Sequence, residues 1–84
     1  MINADIIDTM IRTAKEARAH AHCPYSKQAV GACVLTSDGT LYGGCNVENA
    51  SYGLSCCAER VAIFRAVADS KRDFDAIAVV SDTD

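Results

Sequence analysis

The sequence has no long apolar run, no cluster of basic residues, no internal repeat, and a single proline. Each shortage excludes something. Without a hydrophobic stretch of membrane-spanning length, no transmembrane helix and no membrane partner are expected. The 8 Lys+Arg and 11 Asp+Glu are interspersed and give a net charge of −3, so no basic face marks a nucleic-acid surface. Residues Met1 to Asp8 carry acids and no basic segment, which does not read as a signal peptide. The cysteines number five, an odd count; with no secretion signal they read as reduced thiols in a cytoplasmic protein. Half the residues are hydrophobic and 23% are charged, the balance of a globular chain. A length of 84 residues allows one domain with a small core.

Taken in order, Ile6, Ile7, Met10, Ile11, Ala14 and Ala17 recur at three- and four-residue spacing. This predicts an amphipathic helix from about Asn3 to Ala21, capped by Asn3, with Arg12, Lys15, Glu16 and Arg18 on the opposite face. Pro24 stops it and favours an extended Cys23. His20, His22 and Cys23 read as residues suited to a helix C-terminus rather than as a metal site. Gln28 to Thr36 is small or β-branched almost throughout, as in a strand buried on both faces, and Gly31 with its neighbouring alanines predicts close packing. Ser37 to Thr40 is a turn that needs positive φ at Gly39, and Leu41 to Asn46 returns as the second hairpin strand. A helix follows from Cys57 to about Ser70. Phe74 to Ser81 is a third strand, apolar enough to be central. Strand, helix, strand at this spacing makes strands two and three, or one and three, parallel in one sheet. The fold expected is α/β and layered: helix, hairpin, helix, strand on a mixed sheet, with Cys33 and Cys45 in its core.

The chemistry concentrates between Gly44 and Arg60. Val47 to Cys56 is polar and aperiodic, and loops of that length in a small domain are often functional. It ends on Cys57, two residues before Glu59, where the pattern turns helical. A helix N-terminus carries unpaired N–H groups and partial positive charge, a setting that favours an anion such as a metal-binding thiolate. A carboxylate on the same first turn lies close enough to move protons for water on such a metal. Asn46 and Glu48, two apart at a strand end, point the same way and suit a hydroxyl-bearing ligand. Cys56 matches no pattern and reads as packing.

Cys45-Asn46-Val47-Glu48-Asn49-Ala50, followed by Cys57-Ala58-Glu59-Arg60 opening a helix, resembles the cytidine deaminase family, and within it the small nucleoside enzymes whose zinc is held by three cysteines. Pro24-Tyr25-Ser26-Lys27, Val30-Gly31-Ala32 and Asp38-Gly39 match in the same order. The resemblance implies a cytidine-deaminase-like fold and hydrolytic deamination of cytidine or deoxycytidine to the uridine and ammonia. Zn²⁺ would be the cofactor, with Cys57 a ligand. Glu59 would carry a proton from zinc-activated water to the pyrimidine ring and then to the leaving amino group. Arg60 would donate to the ligand thiolates, offsetting their charge, and Asn46 and Glu48 would hold the ribose. Tyr52 would approach a neighbouring subunit of a homotetramer, and the role would be pyrimidine salvage. Two features depart from the family pattern. Gln28 stands where the family carries a phenylalanine that stacks on the base. The second half-motif, P-C-x-x-C, is absent from residues 1–84, which therefore read as a single incomplete domain expected to be inactive alone. The alternative is a catalytically inactive deaminase-like module for binding or oligomerisation.

Overall fold

The computed structural model describes residues 2–24, 27–48 and 57–81. Helix α1 covers Ala4–Arg18 and starts as its sequence requires: the Asn3 side chain accepts a hydrogen bond from the Ile6 N–H at 2.9 Å. It ends earlier than the apolar repeat suggests. Beyond Arg18 the chain tightens into turns, with His20 N–H donating to Ala17 and Ala21 N–H to Arg18. Met10 and Ala14 are buried, whereas Ile7 is 47% exposed and falls off the inward stripe. Strands β1 (Val30–Thr36) and β2 (Leu41–Cys45) form the hairpin, with Gly39 at φ +90° in its turn. Helix α2 covers Ala58–Ala68 and strand β3 Phe74–Ser81.

The strand order is β2-β1-β3, and β1 is antiparallel to both neighbours. Strands β2 and β3 therefore run in the same direction with β1 between them, so the connection through α2 crosses over β1. This is the direction expected for strands two and three, but because β1 lies between them the two are not hydrogen-bonded neighbours, and the described sheet is antiparallel in both pairings rather than the mixed sheet expected.

The two faces of β1 explain the layers. Cys33 and Leu35 face α1 and pack with Met10 and Ala14, while Ala32 and Val34 face α2 and pack with Ala58, Ala62 and Ala66. Both helices sit unusually close to the sheet because glycines lie beneath them. A Cβ on Gly31 would lie 1.9 Å from the Ala14 carbonyl oxygen, and one on Gly44 would lie 2.4 Å from the Ala62 nitrogen. The line Ala58, Ala62, Ala66 supplies the matching flat stripe on α2.

The third strand differs from its reading as central. Among the described strands β3 lies at an edge. Ala76, Ala78 and Val80 pack toward α1, but Ile77 and Val79, on the other face, are 47% and 50% exposed. Helix α2 rests mainly on β2 and β1 and only grazes β3, so these two side chains stay half exposed. Phe64 on its outer side is likewise exposed.

The hairpin end is fastened by a polar network. The Asp38 carboxylate accepts from Lys71, from the Thr36 hydroxyl and from the Thr40 N–H, while the Tyr42 hydroxyl donates to Asp69. These donors, Lys71 first, hold the Asp38 carboxyl well below the ordinary carboxylate range. A depressed carboxyl contributes stability that is fully present above the unfolded-state pKa, about 4, and is lost as pH falls below it. Asp38→Asn is therefore expected to lower stability at neutral pH and to flatten the loss of stability below about pH 4. Urea midpoints measured across pH check this; parallel curves for the two proteins would count against the network.

Candidate active site

The topology collects the predicted site residues at the end of the sheet opposite the hairpin turn. There β2 and β3 finish, β1 begins, and α2 starts. Helix α2 is anchored at this place by the close approach on Gly44, whose added Cβ would also lie 2.6 Å from the Ala58 carbonyl oxygen. The first turn of α2 is thereby seated on the last residues of β2.

Cys57 is the N-cap residue of α2, with an exposed side chain that makes no capping hydrogen bond. Glu59 stands in the first helical turn and is half-buried, and Arg60 beside it is exposed. The placement expected for Cys57 and Glu59 at a helix start is thus what the structure has. Cys23, Cys33, Cys45 and Cys57 carry free thiols. Cys33 is fully buried, and desolvation pushes its thiol pKa up, so it is the inert core residue expected of it. Cys45 is only half-buried. Among the described residues no three His, Cys, Asp or Glu side chains converge as a metal site. Ala50, Tyr52 and Cys56 lie outside the described residues.

Asn46 is buried, 9% exposed, and its carboxamide is engaged on both sides. Its Oδ1 accepts from the Val30 N–H and its Nδ2 donates to the Gln28 carbonyl, each at 2.9 Å. Glu48 is half-buried two residues on, and its N–H donates to the His22 carbonyl at 2.7 Å. His22 N–H in turn donates to the Asn46 carbonyl at 3.0 Å, making a parallel bridge between His22 and Val47. The segment after α1 is therefore part of the site's wall. Sequence reasoning placed His22 at a helix end and missed this contact; backbone pairing between residues 25 apart leaves no local trace. Gln28 is exposed at the mouth of this region.

Residues 5–83 match the family model described as the cytidine and deoxycytidylate deaminase zinc-binding region. The chain belongs to this family. It is 51% identical over 78 residues to a cytidine deaminase of Sporosarcina psychrophila, covering 93% of this chain and 57% of that protein. To a probable cytidine deaminase of Dictyostelium discoideum it is 44% identical over 81 residues, covering 96% and 55% of the two. In structure it is similar to the cytidine deaminase of Burkholderia pseudomallei, with a TM-score of 0.86 at 54% identity over 90% of this chain and 61% of that one. The Mycobacterium leprae cytidine deaminase gives a TM-score of 0.87 at 40% identity, over 96% and 66%. The chain thus spans little more than half the length of the curated relatives it matches. The layered α/β fold agrees with these structures. Among the described residues no helix is long and apolar enough to cross a membrane.

Proposed function

We propose that the full-length protein is a zinc-dependent deaminase of cytidine or deoxycytidine. The observation that carries this reading is the seating of Cys57 as N-cap and Glu59 in the first turn of α2, against the end of β2 that leads into Asn46 and Glu48, in a chain that matches the family model over residues 5–83. The donor chemistry fits the metal: an exposed thiol at a helix N-terminus is a suitable Zn²⁺ ligand, and the remaining ligands then lie outside the described residues. Zn²⁺, when bound, acts as a Lewis acid that makes water nucleophilic near neutral pH. In the net reaction oxygen from water bonds to C4 of the pyrimidine, the C4–N bond breaks, and ammonia leaves. The Glu59 carboxylate takes one proton from the attacking water and delivers it to the ring nitrogen, where it stays; it then takes the second proton from the new C4 hydroxyl and delivers it to the amino group, which leaves as ammonia while the C4 carbonyl forms. Arg60 offsets thiolate charge, and the Asn46–Glu48 segment forms the ribose subsite. A homotetramer in the cytoplasm, serving pyrimidine salvage, completes the reading.

The test is zinc content, solution mass and ammonia release from cytidine, measured on the full-length protein. About one zinc per chain with turnover is expected. A folded protein with neither would favour the inactive deaminase-like module.

Gln28 bears on substrate affinity. Its exposure leaves room for a ring at this position. A stacking aromatic contributes on the order of 1–3 kcal/mol per base in nucleic-acid cases. Gln28→Phe is expected to lower KM for cytidine with little change in kcat; an unchanged or higher KM would show that residue 28 does not lie over the base.

A further inference from the structure

We propose that Lys27 is a positioning residue that acts through its backbone: held in the left-handed region, it turns the chain so that residue 28 arrives at the mouth of the site. This rests on the deaminase reading for its substrate and on backbone geometry for its mechanism. Among the described residues two that are not glycine have positive φ, Lys27 at 58° and Ser70 at 66°. Ser70 has a local cause. It follows the last turn of α2, where a left-handed residue commonly ends a helix, and the Lys71 N–H donates back to the Ala66 carbonyl at 2.9 Å. Helix α1 ends at Arg18, so its end does not account for Lys27. For a residue with a Cβ this conformation is costly, and it persists where the surroundings impose it.

The surroundings of Lys27 impose a reversal. His22 bridges Val47 in the parallel sense, its N–H on the Asn46 carbonyl and its carbonyl on the Glu48 N–H. Strand β1, starting at Val30, runs antiparallel to β2, which leads into the same residues. The chain must therefore turn back between His22 and Val30. On one side the Lys27 N–H donates to the Cys23 carbonyl at 2.9 Å. On the other, the Gln28 carbonyl and the Val30 N–H are both bonded to the Asn46 carboxamide. Lys27 joins these two anchored pieces, with its side chain exposed. Its φ sets the angle at which Gln28 leaves the turn, and so where the side chain of residue 28 is presented. Glycine adopts this conformation without steric cost, lysine adopts it at a cost, and a β-branched residue opposes it most.

The experiment compares wild type with Lys27→Gly, Lys27→Met and Lys27→Val as full-length proteins, by thermal melting, zinc content and steady-state kinetics with cytidine. Lys27→Met keeps the Cβ and the stem and removes the charge, so its KM is expected within about twofold of wild type. Lys27→Gly is expected to hold KM in the same range and to melt a few degrees above Lys27→Met. Lys27→Val is expected to raise KM about tenfold with a smaller change in kcat and with zinc retained, because residue 28 moves while Cys57 and Glu59 on α2 do not. A KM raised as much by Lys27→Met as by Lys27→Val would overturn the proposal, because the ammonium itself would then be the contact. So would a wild-type KM in Lys27→Val, or a Lys27→Gly protein melting below Lys27→Met. If Lys27→Val does not fold, the comparison of Lys27→Gly with Lys27→Met decides. A wild type without turnover would sink the deaminase reading, while the order of melting temperatures still decided the backbone role.

Discussion

Glu59→Gln in the full-length protein is expected to retain zinc and to lose about 10²–10⁴-fold in kcat for cytidine, the usual worth of general acid–base catalysis. The substitution keeps size and hydrogen-bonding reach but removes the ability to accept and release a proton. Glu59 lies in the first turn of α2, one helical position beyond Ala58, which is buried against Gly44, so its backbone is fixed by packing that the substitution leaves alone. Cys57→Ala is expected to act differently. It removes a thiolate donor from the mouth of the helix and should empty the metal site, with activity falling as a consequence. Because the Cys57 side chain makes no capping bond in α2, its loss should cost the fold little. Metal analysis beside kcat separates the two residues. Zinc lost from Glu59→Gln and kept in Cys57→Ala would show that the roles are exchanged.

Gly31→Ala is expected to be the most damaging single methyl in the described structure. Its Cβ would meet the Ala14 carbonyl oxygen at 1.9 Å and the Arg18 nitrogen at 2.8 Å, both backbone atoms of α1. A backbone cannot rotate aside as a side chain can, so α1 must lift from the sheet. Lifting it opens the packing of Met10 and Ala14 on Cys33 and Leu35 and strains the bond from Arg18 to the Ser81 carbonyl. Overpacking typically costs about 1–3 kcal/mol, and this geometry lies at the upper end. At about 4–8 °C per kcal/mol for a domain of this size, the melting temperature should fall by roughly ten degrees or more. Gly44→Ala should destabilise similarly through α2 and also displace Cys57 and Glu59, so that its activity falls further than its stability explains. Gly39 is the control: a Cβ there meets nothing within 4 Å, and at φ +90° asparagine should be tolerated far better than a β-branched residue. A Gly31→Ala protein melting within a degree or two of wild type would mean that α1 is not seated on β1 as described.

The elements themselves were legible because their causes are local. Apolar spacing and an Asn cap fix α1, positive φ at Gly39 fixes the hairpin turn, and the change from a polar loop to apolar periodicity fixes the start of α2. The candidate site was legible for a related reason. Cys57, Glu59 and Arg60 are consecutive or nearly so, and one helical turn orients them whatever the rest of the chain does.

What the tertiary structure decided was everything carried by contacts between distant residues. Local pattern could not show that α2 lies over β1 and β2 and leaves Ile77 and Val79 of β3 uncovered, because a strand apolar on both faces has the same sequence whether one face or two are packed. Nor could it show that Arg18, read as an outward residue, reaches Ser81. The surroundings of Asn46 are the clearest case. In sequence it is a polar residue two before a glutamate, facing a ligand. In the fold it is also a buried carboxamide bonded to the main chain of Gln28 and Val30, contacts that exist only because the start of β1 is brought beside it.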